Sequence, residues 1–396
     1  YVPNNMALIL VGDFDAEKAK PMIQETFSRL QAKELPTRPS YPEVSFAGNP
    51  SKHYNLGYNP QVAWIYQGVK KGDPDEEALD FVCALLYNGY VGLLDKLNTK
   101  GDVSASYAYS DSRRNTGRIV IQAVPYYDAN QQMFESDKAT KAIIMKELDK
   151  IKNGEIDDKL IENVKRHYAQ LYKVQDEEPD SKIQNLLYSF VYNKPIDDIF
   201  TESERIQNLT KEEIVRVAKK YFDAPYMTIS FDEDTKTPKA KTLPKPNIKP
   251  VEPSHEETPY AKAFKQLPKE SIKQTFNDFN DVKVSSLGEN VTLHYSTNTK
   301  NDVFSLVLRY GVGAHEMPLL PYAAELMSDA GIMGNPAVEG KDFKVQMADL
   351  GATVRYYCDD SYFTITVAGE DENMNKIMNL VNRQLLMPYL EQKQLD

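Results

Sequence analysis

The chain has 396 residues, 47 Lys and Arg against 58 Asp and Glu, and a formal charge of −11. Such a field repels polyanions and argues against a nucleic-acid groove, while 41 % hydrophobic and 27 % charged residues exclude a wholly disordered chain. No run approaches the roughly 18 apolar residues that cross a bilayer, and two cysteines, Cys83 and Cys358, are too few for a disulfide scaffold or a thiolate zinc cluster.

Met6 to Val11 reads as a buried strand entered directly from a loop. A native protein rarely opens this way, so we expect the chain to be a piece of a longer protein. Residues 16–31 carry Ala19, Met22, Ile23, Phe27 and Leu30 at helical spacing, closed by Pro36, Pro39 and Pro42. Tyr54 to Val69 alternates as a strand with Val62, Trp64 and Tyr66 on one face. The turn Gly72-Asp-Pro-Asp75 leads into a helix over 76–87, with Leu79, Val82, Cys83 and Leu86 on its apolar face. After the Gly101-Asp102 turn, 103–110 and 117–124 form a strand pair around the polar tip 111–116. Helices are predicted at 132–152, 157–175, 180–192 and 211–222, the last opened by Thr210 and Glu213 at capping-box spacing. Tyr226 to Phe231 closes this part as a strand.

Residues 235–259 alternate Lys and Pro (Lys236, Pro238, Lys239, Lys241, Pro244, Lys245, Pro246) and lack the apolar side chains of a core. We read them as an interdomain tether, the alternative being a basic docking segment. Beyond lie strands at 282–286, 291–295 and 303–309, helices at 318–330 and 340–350, a strand pair at 352–358 and 362–368, and a terminal amphipathic helix bearing Ile377, Leu380, Val381 and Leu385.

One order of elements occurs twice: strand, helix, short helix, Gly turn, strand pair, long helix. The first copy runs from Val62 through Gly101 to near Ile151, the second from Val303 through Gly351 to near Leu386. The segment 219–232 also has the same loop-into-strand form as 1–13. Duplicated α+β units, each a mainly antiparallel sheet covered by helices on one face, fit this order better than a doubly wound parallel sheet.

Tyr1-Val-Pro-Asn-Asn-Met6, with Val11-Gly-Asp-Phe-Asp15, resembles the strand that opens the second half of each repeat in the insulinase/pitrilysin family of zinc metallopeptidases, the inverzincins. Gly351-Ala-Thr-Val-Arg-Tyr-Tyr-Cys358 with the strand after it resembles the hairpin that follows the family's metal helix. The resemblance implies four homologous units in two halves around a chamber for unfolded peptides. On that map 1–234 is a second-unit domain, 235–259 the linker between halves, and 260–396 a third-unit domain truncated at its C-terminus.

The family's His-x-x-Glu-His places two imidazoles four apart on one helix face for Zn²⁺, with the Glu as general base. None of His53, His167, His255, His294 and His315 has another His four residues away. His315-Glu316 begins a similar pattern that ends on Leu319. In the segment matching the metal helix, 320–331, the histidine positions hold Tyr322 and Leu326, and only Glu325 remains. We therefore expect no catalytic, cofactor-binding or metal residue in this segment, with Zn in the parent protein if an upstream unit is catalytic. Where the family places an Arg and a Tyr that clamp substrate, Asn98 and Ser104 stand here. Arg113-Arg114 reads as solvated tip charge, and Tyr107, Tyr109, Tyr356 and Tyr357 as packing residues rather than a stacking wall.

The resemblance implies a non-catalytic portion of a zinc-dependent endopeptidase degrading unstructured peptides in an enclosed chamber. The alternative is a non-catalytic scaffold or peptide-binding subunit that partners a catalytic one. Expected partners are a peptide substrate and the missing first and fourth units, or a partner subunit, with no nucleic acid and no transmembrane segment. Residence in the periplasm or cell envelope is expected, with the cytoplasm as the alternative.

Overall fold

A computed structural model describes residues 2–39, 44–55, 59–232, 244–254, 256–268, 276 and 279–392. By contacts the chain forms two compact units, Tyr1–Thr235 with Lys300–Asp396, and Lys236–Thr299. The fold is α+β, with mainly antiparallel sheets.

In the first unit, α1 (Ala16–Phe27) is capped by the Asp15 carboxylate, which accepts from the Glu17 and Lys18 amides, and it buries no residue. The segment before it corrects the sequence expectation: among the described residues Met6 to Val11 pairs with no strand, and Met6, Leu8 and Leu10 are about half exposed. Strand character needs a neighbour to bond to, and the described residues supply none there. The single strand expected over 54–69 is two, β1 (Ser51–Asn55) and β2 (Gln61–Gln67). Next come α2 (Glu76–Leu86), α3 (Leu93–Lys100), and the hairpin β3 (Ala105–Ser112) and β4 (Gly117–Val124). The helix expected from 132 starts later. Tyr127–Asp128 (β5) pairs with Met133–Phe134 (β6), and the Ser136 hydroxyl accepts from Ala139 to cap α4 (Asp137–Asn153). There follow α5 (Asp158–Gln175), α6 (Pro179–Tyr192), two short helices the periodicity did not reveal, α7 (Ile196–Phe200) and α8 (Glu202–Gln207), then α9 (Lys211–Phe222) and β7 (Tyr226–Asp232). The capping box holds: Thr210 Oγ1 accepts from the Glu213 amide at 3.2 Å, and Glu213 Oε2 accepts from the Thr210 amide at 3.1 Å.

The sheet order is β1-β7-β2-β4-β3, with only β1 and β7 parallel. Strand β2 is central, and Val62, Trp64 and Tyr66 are almost wholly buried. Helix α2 lies against β3, α9, α8 and α5 and is apolar nearly all round, with Leu79, Phe81, Val82, Leu85 and Leu86 excluded from solvent. Each such side chain contributes about 1.5–3 kcal/mol by leaving water, and a helix covered on every side is the expected result.

The other unit holds α10 (Pro259–Lys265) and the hairpin β8 (Lys283–Gly288) and β9 (Val291–Tyr295). Within the tether range, residues 244–254 adopt no helix or strand, whereas 235–243 and His255 lie outside the described residues.

The C-terminal part of the first unit comprises β10 (Val303–Tyr310), α11 (Leu320–Asp329), β11 (Gly331–Ile332), α12 (Gly340–Asp349), β12 (Ala352–Cys358), β13 (Phe363–Glu370), α13 (Met374–Leu386) and β14 (Pro388–Tyr389). Its sheet, β10-β13-β12, repeats the β2-β4-β3 order. Phe343, Met347, Ile365, Val367, Ile377 and Val381 form its core, and the buried Gln384 amide is satisfied by the Ala330 carbonyl at 2.7 Å. Gly101 and Gly351 take left-handed φ of 66° and 62° at matching turns, where a Cβ is strained. The two copies meet along α5. Asn163 Nδ2 donates to Asp349 Oδ1 at 2.8 Å, Arg166 Nη1 to the Asp349 carbonyl at 2.7 Å, and Gln170 Nε2 to the Gly351 carbonyl at 2.7 Å.

Candidate functional site

The duplicated topology locates the same place in both copies. Asp80 stands as far beyond the first residue of β2 as Tyr322 does beyond the first residue of β10, so Asp80, Cys83 and Ala84 on α2 correspond to Tyr322, Glu325 and Leu326 on α11. Neither triplet fits a metal ion. Ala84, like Leu326, has no donor atom, and among the described residues no three His, Cys, Asp or Glu converge as a metal site.

On α11 the side chains face outward: Tyr322 is 65 % exposed, Glu325 is exposed and Leu326 is half-buried. On α2 the equivalent residues line a cavity of about 310 Å³. Asp80 and Cys83 come from α2, Tyr109 and Ser110 from β3, His167 and Tyr168 from α5, and Glu202 from α8. The elements follow from the packing above: α2 lies against β3, α5 and α8, and the cavity opens where these three meet beside it, lined by polar residues together with Ala84, Ala108, Leu171 and Ile206.

The charges in this cavity are shifted by their surroundings. Burial pushes the Asp80 carboxyl up to about 7, only partly offset by Lys71 and the nearby Ser110 hydroxyl. Burial also raises Glu202, with Lys194 opposing. The Cys83 thiol is driven up by burial and remains a thiol, so it is no ready nucleophile. Burial lowers His167, aided by Arg355, and favours the neutral imidazole. The neighbouring acids are each engaged by a base: Glu76 by Lys71, and Glu77 by Arg205 at 2.6 Å and Lys194 at 3.7 Å. Tyr172 donates to Glu202. The arrangement suits a carboxyl that exchanges its proton near neutrality and two acids facing one space, not a charge relay to a nucleophile.

Other residues singled out by sequence serve the fold. Asn98 donates to the Ser106 carbonyl at 2.8 Å and accepts from the Ser106 hydroxyl at 2.6 Å, tying α3 to β3, while Ser104 donates to the Pro125 carbonyl at 2.8 Å, tying the entry of β3 to the end of β4. Arg113 is paired with Asp111 at 2.8 Å. The Glu316 carboxylate accepts from the Gly313 amide at 3.0 Å in the turn before α11. Tyr356 is buried and bonded to Gln384, Tyr357 is exposed, Tyr107 lies 6.3 Å from the Tyr87 ring, and Tyr109 reaches the cavity. Sequence reasoning passed over Asp80 and Glu202, and weighed His167 only as a metal ligand. Equal spacing from β2 and β10 was the signal that could have found Asp80; nothing local marks the other two.

Residues 1–168 match the family model described as the Peptidase M16 inactive domain. No curated protein matches the sequence. Among solved structures, a protease from Helicobacter pylori is 18 % identical with a TM-score of 0.48, covering 56 % of this chain and 54 % of its own. The periplasmic protease PqqL from Escherichia coli is 15 % identical with a TM-score of 0.47, covering 97 % of this chain and 45 % of its own. An M16 inactive domain from Pseudomonas fluorescens is 16 % identical with a TM-score of 0.47, covering 56 % and 52 %. The chain thus spans about half the length of the structures it matches.

Proposed function

We propose, from the match of residues 1–168 to the Peptidase M16 inactive domain, that the chain is the non-catalytic portion of a zinc-dependent endopeptidase of the insulinase type, acting on unstructured peptides in an enclosed chamber. On this reading 1–234 serves as the second unit, 235–259 as the tether and 260–396 as most of the third. The first and fourth units, in the same chain or in a partner subunit, supply the rest, and the whole works in the periplasm or cell envelope. The observation that carries the reading is the pair of equivalent helical positions, Asp80-Cys83-Ala84 and Tyr322-Glu325-Leu326, that lack the donors a Zn²⁺ site needs. The residues here hold peptide-facing surface, and hydrolysis belongs to a unit outside them. Among the described residues no helix is long and apolar enough to cross a membrane.

Metal analysis and peptide cleavage test this. The purified chain is expected to carry no stoichiometric zinc after dialysis and to leave an unfolded peptide intact. One tightly held Zn²⁺ per chain, or cleavage that a chelator abolishes, overturns it.

A further inference from the structure

The α2 cavity holds two acids, Asp80 and Glu202, on which Lys71 and Lys194 act only from beyond ion-pair distance, Glu202 also accepting from Tyr172. Lys71 is committed to Glu76, and Arg205 and Lys194 to Glu77, whereas among the described residues neither Asp80 nor Glu202 enters an ion pair. Both face the same space of about 310 Å³, with the rings of Tyr87, Tyr109 and Tyr168 along its wall. The Ser110 hydroxyl also lines this space, shut from solvent beside the Asp80 carboxyl. Carboxylates with aromatic faces are the surroundings that bind organic cations. The acids do not converge as a metal site does, which disfavours a compact divalent ion and suits a cation on an apolar stem.

We propose that this cavity binds the basic side chain of a peptide, a lysine ammonium or arginine guanidinium, seated between Asp80 and Glu202 with its stem against the tyrosines. The inference goes beyond the functional reading above and stands without it, because the cavity is built wholly from α2, β3, α5, α8 and the residues beside them. Asn88 and Cys83 complete the walls as neutral groups, and the chain's net charge of −11 favours the same sign of ligand.

Calorimetric titration of the full chain at pH 8 with N-acetyl-lysine methylamide, N-acetyl-arginine methylamide and neutral N-acetyl-norleucine methylamide tests it. The two cationic compounds are expected to bind at least 10-fold tighter than the neutral one. Asp80→Asn and Glu202→Gln should each cut that preference several-fold, with unchanged near-ultraviolet dichroism showing that the fold persists. If one variant fails to fold, the other decides. Equal binding of all three compounds, no binding of any, or a preference that survives in the folded variants overturns the proposal. So does binding of n-butylammonium without binding of the lysine derivative, which points to free amines instead of peptides.

Discussion

Two aspartates five residues apart show how surroundings set the sign of a charge effect. Asp75, just before α2, is buried, and burial alone would raise its carboxyl. Bonds from Arg216 at 2.7 Å, Lys220 at 2.6 Å and Tyr221 at 2.9 Å win, and it falls to about 2. Its stabilising contribution is therefore complete above about pH 4 and is lost as pH falls through 2. Asp80 has no such ring of donors and rises to about 7. Because the folded state holds its proton more tightly than the unfolded state, it costs progressively more stability as pH rises from about 4 to 7. Asp80→Asn removes that cost, so thermal melts should show its Tm gaining on the parent between pH 5 and pH 8. Asp75→Asn should be destabilised by about 1–3 kcal/mol at pH 7, a modest figure because Arg216 and Lys220 are half exposed, and the deficit should shrink toward pH 2. A Tm difference for either variant that is flat with pH would contradict the assignment. Neither role was legible locally: the apolar pattern of α2 marks Leu79, Val82 and Leu86, while the fate of Asp80 is decided by residues about 30, 90 and 120 positions later.

At the scale of elements, pattern was a good guide to what a segment can become and a poor one to whether it finds a neighbour. Strand β7 and the segment Met6 to Val11 share the same loop-into-strand form, yet β7 lies bonded on both sides between β1 and β2, and Met6 to Val11 is bonded to neither. Helix α2 was recognised with its limits almost right, although its burial on all faces was not, since one apolar stripe is all that periodicity reports. The short helices α7 and α8 were missed, being shorter than the window in which a 3.6-residue period can be told from chance. The unpaired segment offers a direct test. Limited chymotrypsin digestion should cut at Leu8 and Leu10 well before Phe231, because cleavage needs an extended backbone free of ladder bonds. Simultaneous cutting at the two places would show that Met6 to Val11 is as protected as β7.

For the molecule as a whole, the duplication was visible in the order of elements, and the matching sheet orders and left-handed Gly101 and Gly351 turns bear it out. How the copies join was not visible, because nothing in the composition of α5 announces that its residues cap the ends of a second copy. Arg166, Asn163 and Gln170 donate to Asp349 and Gly351, and Lys173 reaches Asp302. Tyr90 packs against both cores. Gly351 lies so close that a Cβ would sit 2.7 Å from Gln170 Nε2. The core of the second copy is the smaller of the two, so it leans on this seam more than the first copy does. Removing the Arg166 guanidinium deprives the Asp349 carbonyl of a charged donor, a loss of about 1–3 kcal/mol that should fall mainly on residues 300–396. Hydrogen exchange of Arg166→Ala is therefore expected to speed the amides of Tyr356 and Ile365 while those of Trp64 and Ile121, in the sheet of the first copy, keep their protection. Equal acceleration in both sheets would mean that the two copies unfold as one cooperative body and that α5 belongs to a shared core instead of a seam.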